Sequence, residues 1–155
     1  MQVSLFDESD RRDKLSLLGD ALERIDATVS WQVFIPALDE AVPRKYRGRG
    51  GRPPFAGLLM FKILVLKRLY GLSFAQAEYQ INDRISFMRF LGLGLGDTVP
   101  DANTIWRYEK RLLKSETGKE LIKKLFAELA ENGYKVKTGS ISDPVLLGVR
   151  KGPQK

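Results

Sequence analysis

Residues 55–92, FAGLLMFKILVLKRLYGLSFAQAEYQINDRISFMRFLG, decide the fold. From Phe55 to Tyr70 the chain is mostly apolar, and Lys62, Lys67 and Arg68 fall at scattered positions around a helical wheel. That pattern predicts a helix buried on most sides, and it falls short of the roughly 18 uninterrupted apolar residues of a membrane span. Pro53-Pro54 sets up its start and Gly71 closes it. Ser73-Phe74-Ala75-Gln76 has the form of a capping box, so a new helix begins after a very short turn and runs to about Asn82. Ser86 can cap a further short helix over Phe87–Leu91, closed by Gly92. Helix, tight turn, helix is the geometry of helix-turn-helix domains, and equally of any small helical bundle; the last short helix is too apolar for a typical groove reader.

Toward the N-terminus, Asp10 is placed to cap a helix carrying Leu15, Leu18, Leu22 and Ile25 at helical spacing. Ser30 is placed to cap a second through about Ala41, with Pro36 forcing irregular first turns or a late start. Toward the C-terminus, Pro100–Thr104 reads as a helix start leading into Ile105–Lys114. Thr117-Gly118-Lys119-Glu120 resembles a capping box for a last helix stopped by Asn132-Gly133. Beyond it, Tyr134–Lys137 alternates, Thr138-Gly139 can turn, and Ile141–Val149 suits a second strand. The expected fold is therefore mainly α, a helical bundle with a helix-turn-helix-like element and a short C-terminal β-hairpin.

The 155 residues carry 26 Lys plus Arg against 19 Asp plus Glu, a net charge of +7, which points to a polyanionic partner. With neither cysteine nor histidine, disulfides, thiol nucleophiles, imidazole bases and Cys/His zinc sites are excluded together. The charge is uneven: residues 1–43 hold 4 basic and 9 acidic residues, 44–100 hold 10 and 3, and 101–155 hold 12 and 7. The acidic segment faces away from an anionic partner, or shields the basic part until that partner arrives, or the asymmetry is plain sequence drift. The start, Phe6-Asp7-Glu8-Ser9-Asp10, is too acidic for a secretory signal, and a cytoplasmic protein is expected.

Two basic features are candidate DNA contacts. The connector over residues 44–54 holds Arg44, Lys45, Arg47, Arg49 and Arg52 among glycines, a composition that fits an arm along a minor groove and also a solvated linker. In the helix after Pro100, Arg107, Lys110, Arg111 and Lys114 fall at i, i+3, i+4 and i+7, opposite an apolar stripe of Ile105, Tyr108 and Leu112. Four like charges on one face repel each other unless an anion joins them. Arg84 and Arg89 are weaker candidates, and Gln76 and Gln80 share a helix face that could read adenine or merely be solvated.

Four strings resemble one family, the InsH-type transposases of the insertion-sequence-five group. They are Gly51-Arg52-Pro53-Pro54 before the apolar helix, Leu69-Tyr70-Gly71-Leu72-Ser73, Asp83–Leu93, and Pro100-Asp101-Ala102-Asn103-Thr104-Ile105-Trp106-Arg107-Tyr108. The resemblance implies a helical region that recognises an element's ends (residues 1–133), placed before a ribonuclease-H-like core that uses three carboxylates and two magnesium ions. Residues 134–155 would be the truncated start of that core. Asp143 stands where the first carboxylate and metal ligand is expected, but Pro144 follows directly and cannot donate to a central strand ladder. One aspartate cannot hold two metals.

The expected product is thus a DNA-binding transposase fragment, catalytically incomplete alone, with no cofactor of its own and magnesium needed only by a complete enzyme. Its expected partner is double-stranded DNA bearing inverted-repeat ends, with a second copy or a full-length transposase as protein partners. Three alternatives stay open: a DNA-binding regulator or inhibitor of transposition, a chain that completes a separately encoded catalytic core, and a basic helical protein that binds nucleic acid through charge alone.

Overall fold

The structure, a computed structural model, describes residues 5–43, 54–137 and 140–142. Eight α-helices make up nearly all of it. Helix α1 spans Leu5–Leu18 and α2 spans Ala21–Thr28; a 3-10 turn over Trp31–Phe34 leads into α3, Ile35–Ala41. Then come α4 (Gly57–Leu69), α5 (Phe74–Asp83), α6 (Ile85–Leu91), α7 (Ala102–Lys114) and α8 (Glu116–Glu131).

Helix α4 is the axis. Met60, Phe61, Ile63, Leu64, Val65, Leu66 and Leu69 are all buried, which covers most of its circumference. It touches α3, α5, α6 and α7, while α8 closes the bundle by packing on α3 and α7. Aromatic rings fill the middle: Trp31 meets Phe90 edge to face at 5.5 Å between centroids, and Phe34 meets Phe61 at 5.5 Å. Lys62 reaches into this layer, donating to Asp26 at 2.7 Å and to the Phe90 carbonyl at 2.9 Å, with its ammonium 4.8 Å from the Trp31 ring.

The connections follow the expected turn chemistry between α4 and α5. Gly71 has φ of 61°, and Ser73 and Gln76 form the full reciprocal capping box. Gly92, at φ 72°, ends α6 in the left-handed region.

Four expected helix starts are corrected. Asp10 lies inside α1 rather than at its cap, and the single helix expected through Ile25 is two. Gly19, at φ 93°, breaks it, and Asp20 then caps α2 by accepting from the Leu22 N–H at 3.0 Å. Ser30 makes no cap bond: the chain turns through the 3-10 segment, and Pro36 sits in the first turn of α3, where its missing N–H costs nothing. Arg84, not Ser86, is the N-cap of α6, because α5 and α6 share that residue as their junction. Ser115, not Thr117, caps α8, its hydroxyl accepting from the Gly118 N–H at 3.4 Å.

After α8, Lys135–Lys137 pairs antiparallel with Ser140–Ser142, Val136 opposite Ile141. Two three-residue strands make no independent sheet, and most of the expected second strand, through Val149, lies outside the described residues. No helix among the described residues is long and apolar enough to cross a membrane.

Candidate nucleic-acid interface

Helix α7 is built to show one face and bury the other. Ile105, Tyr108 and Leu112 point into the core, and Arg107, Lys110, Arg111 and Lys114 are all exposed. Its start is fixed twice over. Asp101 accepts from the Thr104 N–H at 2.7 Å, and Glu78 of α5 accepts from the Ala102 N–H at 2.9 Å. The Thr104 backbone and side-chain hydrogen bonds hold the Asp101 carboxyl below its usual range.

The cationic face is not neutralised from within. Glu109, the one acid inside α7, turns inward to Lys67 of α4 at 3.4 Å, both side chains largely buried. Among the described residues none of Arg107, Lys110, Arg111 and Lys114 forms a salt bridge. Lys110 rests its ammonium 4.1 Å from the centroid of Trp106, which is 42% exposed. Trp106 and Asn103 share this face. Sequence reading passed over both, although helical spacing places Asn103 four residues before Arg107 and Trp106 four before Lys110.

The basic connector emerges at the same helix. Arg111 donates to the Pro43 carbonyl at 3.1 Å, and the Tyr108 hydroxyl donates to the Gly57 carbonyl at 3.1 Å. The chain on either side of residues 44–53 is therefore held by one turn of α7. Arg44, Lys45, Arg47, Arg49 and Arg52 themselves lie outside the described residues, as does Asp143. Between the two attachments opens a cavity of about 440 Å³ lined by Ile35, Leu38, Asp39, Pro43, Gly57 and Leu58.

Burial, reinforced by the Asp39 carboxylate, pushes the Tyr108 hydroxyl up to about 12, and burial with Asp20 does the same for Tyr70. A group whose pKa is raised on folding lends stability that is complete below its unfolded value, near 10, and is lost as pH climbs through about 12. An absorbance titration of the phenolates is expected to show these two ionising near pH 12 together with loss of helicity. Ionisation of Tyr70 and Tyr108 near pH 10 in a still-folded protein would contradict the burial.

The remaining candidates lie elsewhere. Arg89 on α6 faces α1 and α2: it pairs with Asp20 at 2.5 Å and Glu23 at 3.2 Å, and donates to the Arg12 carbonyl and the Ser16 hydroxyl. Acids of the N-terminal segment thus meet the cations of α4 and α6, Lys62 and Arg89, rather than the face of α7. Arg84 is exposed, with its guanidinium 5.1 Å from the Phe87 ring and 5.8 Å from that of Tyr70. Gln76 is engaged in its capping box, and the Gln80 side-chain oxygen is buried without a hydrogen-bond partner. Among the described residues no three His, Cys, Asp or Glu side chains converge to hold a metal ion.

The Arg89 contacts give a clean control. Arg89→Ala is expected to destabilise the fold by about 2–3 kcal/mol, the worth of charged hydrogen bonds to a largely buried acid. Urea unfolding measures this; unchanged stability would mean that Arg89 is not the tie between α6 and α2.

No solved structure matches the chain. A family model does, under the description Transposase domain (DUF772), over residues 9–111. The match runs from α1 through the capped start of α7 to Arg111 on its cationic face, and because it takes in well over half of the sequence, the chain belongs to this transposase-domain family.

Proposed function

We propose that this protein acts in DNA transposition as a DNA-binding domain that recognises the ends of a mobile element, as in the InsH-type transposases of the insertion-sequence-five group. One observation carries the reading. Helix α7 holds four exposed cations on one face while its own acid is turned inward to Lys67. In isolation such a face raises repulsion, and a phosphate backbone relieves it. The connector that carries Arg44, Lys45, Arg47, Arg49 and Arg52 leaves and rejoins the fold at α7, so both basic features would meet one stretch of duplex.

On this reading the helical residues recognise DNA and take no part in bond breaking, and magnesium would serve a complete catalytic core. Binding of the purified protein to labelled duplex carrying the inverted ends of its own element, against scrambled duplex, tests it at about 50 and 200 mM salt. Preference for the ends that survives the higher salt supports end recognition. Equal binding to both that collapses with salt reduces the protein to a non-specific polycation binder.

A further inference from the structure

Charge changes sign from the start of α7 to its end. Two carboxylates, Asp101 and Glu78, occupy its N-terminal end and already satisfy the Thr104 and Ala102 N–H groups there. Lys110, Arg111 and Lys114 fill its C-terminal half. These side-chain charges outweigh the helix dipole, so the helix start repels phosphate and the second half attracts it. Asn103 lies between the two carboxylates and the cations, on the same face as Arg107, Lys110 and Lys114 at spacings of four, seven and eleven. Its side chain is exposed and makes no hydrogen bond among the described residues, the cap of the helix being Asp101.

Resting on the DNA-binding reading above, we infer that α7 divides its face between two tasks in a major groove: Asn103 and Arg107 read base edges, and Arg111 and Lys114 hold the backbone. The chemistry of each group sets its assignment. An exposed carboxamide offers one donor and one acceptor, the pair that adenine presents as N7 and its amino group, and a forked guanidinium matches guanine O6 and N7. The carboxylates at the helix start keep that end off the phosphates, so it can lie toward the groove floor. At about 1.5 Å per residue the thirteen-residue helix is about 20 Å long, enough for its first turns to reach base edges while its last turn lies beside a strand. Trp106, next to Asn103, supplies the apolar surface that a thymine methyl takes.

The experiment is selection of bound duplexes from a randomised double-stranded DNA library by the wild-type protein and by Asn103→Ala, Arg107→Ala and Lys114→Ala, followed by titration of each protein on the selected and a scrambled duplex. All three side chains are exposed, and circular dichroism verifies that each variant is folded. Asn103→Ala is expected to erase a preference for adenine at one position, and Arg107→Ala one for guanine close by. Each should weaken the selected duplex by about 5- to 150-fold, a larger factor than it weakens the scrambled one. Lys114→Ala should weaken both duplexes alike and lower the salt slope by about one. An adenine preference that persists in Asn103→Ala overturns the inference, as does a wild-type protein that binds DNA tightly and selects no base at all. Absence of any wild-type binding to duplex removes the DNA-binding reading itself, and the inference with it.

Discussion

With Arg107, Lys110, Arg111 and Lys114 all replaced by alanine, the protein is expected to remain folded and to lose its affinity for duplex DNA by about four powers of ten at low salt. A hydrogen bond from a charged group contributes about 1.5 kcal/mol at the lower end of its range, so four give about 6 kcal/mol, and each 1.4 kcal/mol is about tenfold. The slope of log affinity against log salt should fall by about 3, reflecting three lost phosphate contacts. The fold should tolerate the change, because all four side chains are exposed, none forms a salt bridge among the described residues, and alanine favours the helix. On the protein side the Arg111 tie to Pro43 and the contact of Lys110 with the Trp106 ring are lost. A folded quadruple variant that binds duplex as tightly as the parent would remove α7 from the interface.

The second large effect is expected at a residue that touches no ligand. In an exposed helix, Gly→Ala stabilises by about 0.5–1 kcal/mol. At Gly118 the sign should reverse. A Cβ there would lie 2.1 Å from the Leu112 carbonyl oxygen and 2.9 Å from its carbon, against backbone that cannot swing aside. Gly118 sits in the first turns of α8, where the chain doubles back on α7, so relief requires the two helices to part. Gly118→Ala should therefore cost at least about 3 kcal/mol, the upper end of core overpacking. For a chain of this size that lowers the melting temperature by about 6–12 °C. DNA affinity should fall with it, because α7 is the element displaced. Calorimetry decides: a raised melting temperature would show that the α7–α8 corner is looser than the close approach of Leu112 implies.

Local chemistry made much of the bundle legible. The apolar run of α4, the Ser73–Gln76 box, the closing glycines at 71 and 92 and the Asp101 start are all interactions within a few residues, and these are what periodicity and capping rules report. Errors arose where two local signals competed. Leucines on either side of Gly19 continue one helical period, yet Gly19 adopts a positive φ and Asp20 captures the Leu22 N–H, so the helix restarts. Thr117 and Glu120 have the spacing of a box, yet the corner is set by Ser115 and by the close approach of Gly118 to α7.

The site divides in the same way. The stripe on α7 follows from spacing alone, whereas the inward turn of Glu109 depends on Lys67, far away in sequence. Arg89 reads as a candidate DNA contact in the sequence because its partners, Asp20 and Glu23, sit at the start of a helix that only folding brings near. Pairing between distant residues leaves no periodic trace, and it is this pairing that sorts the cations of the core from those of the surface.

The attachments of Pro43 to Arg111 and of Gly57 to Tyr108 have a kinetic meaning as well. If α7 docks on duplex as proposed, the arginines between these attachments would meet DNA as a tethered group and not as an independent solute. They would experience an effective concentration of phosphate in the millimolar range, characteristic of short tethers. Contacts too weak to hold the isolated 44–53 peptide on DNA would then lengthen the residence time of the whole domain, and their contribution would disappear on cutting the tether.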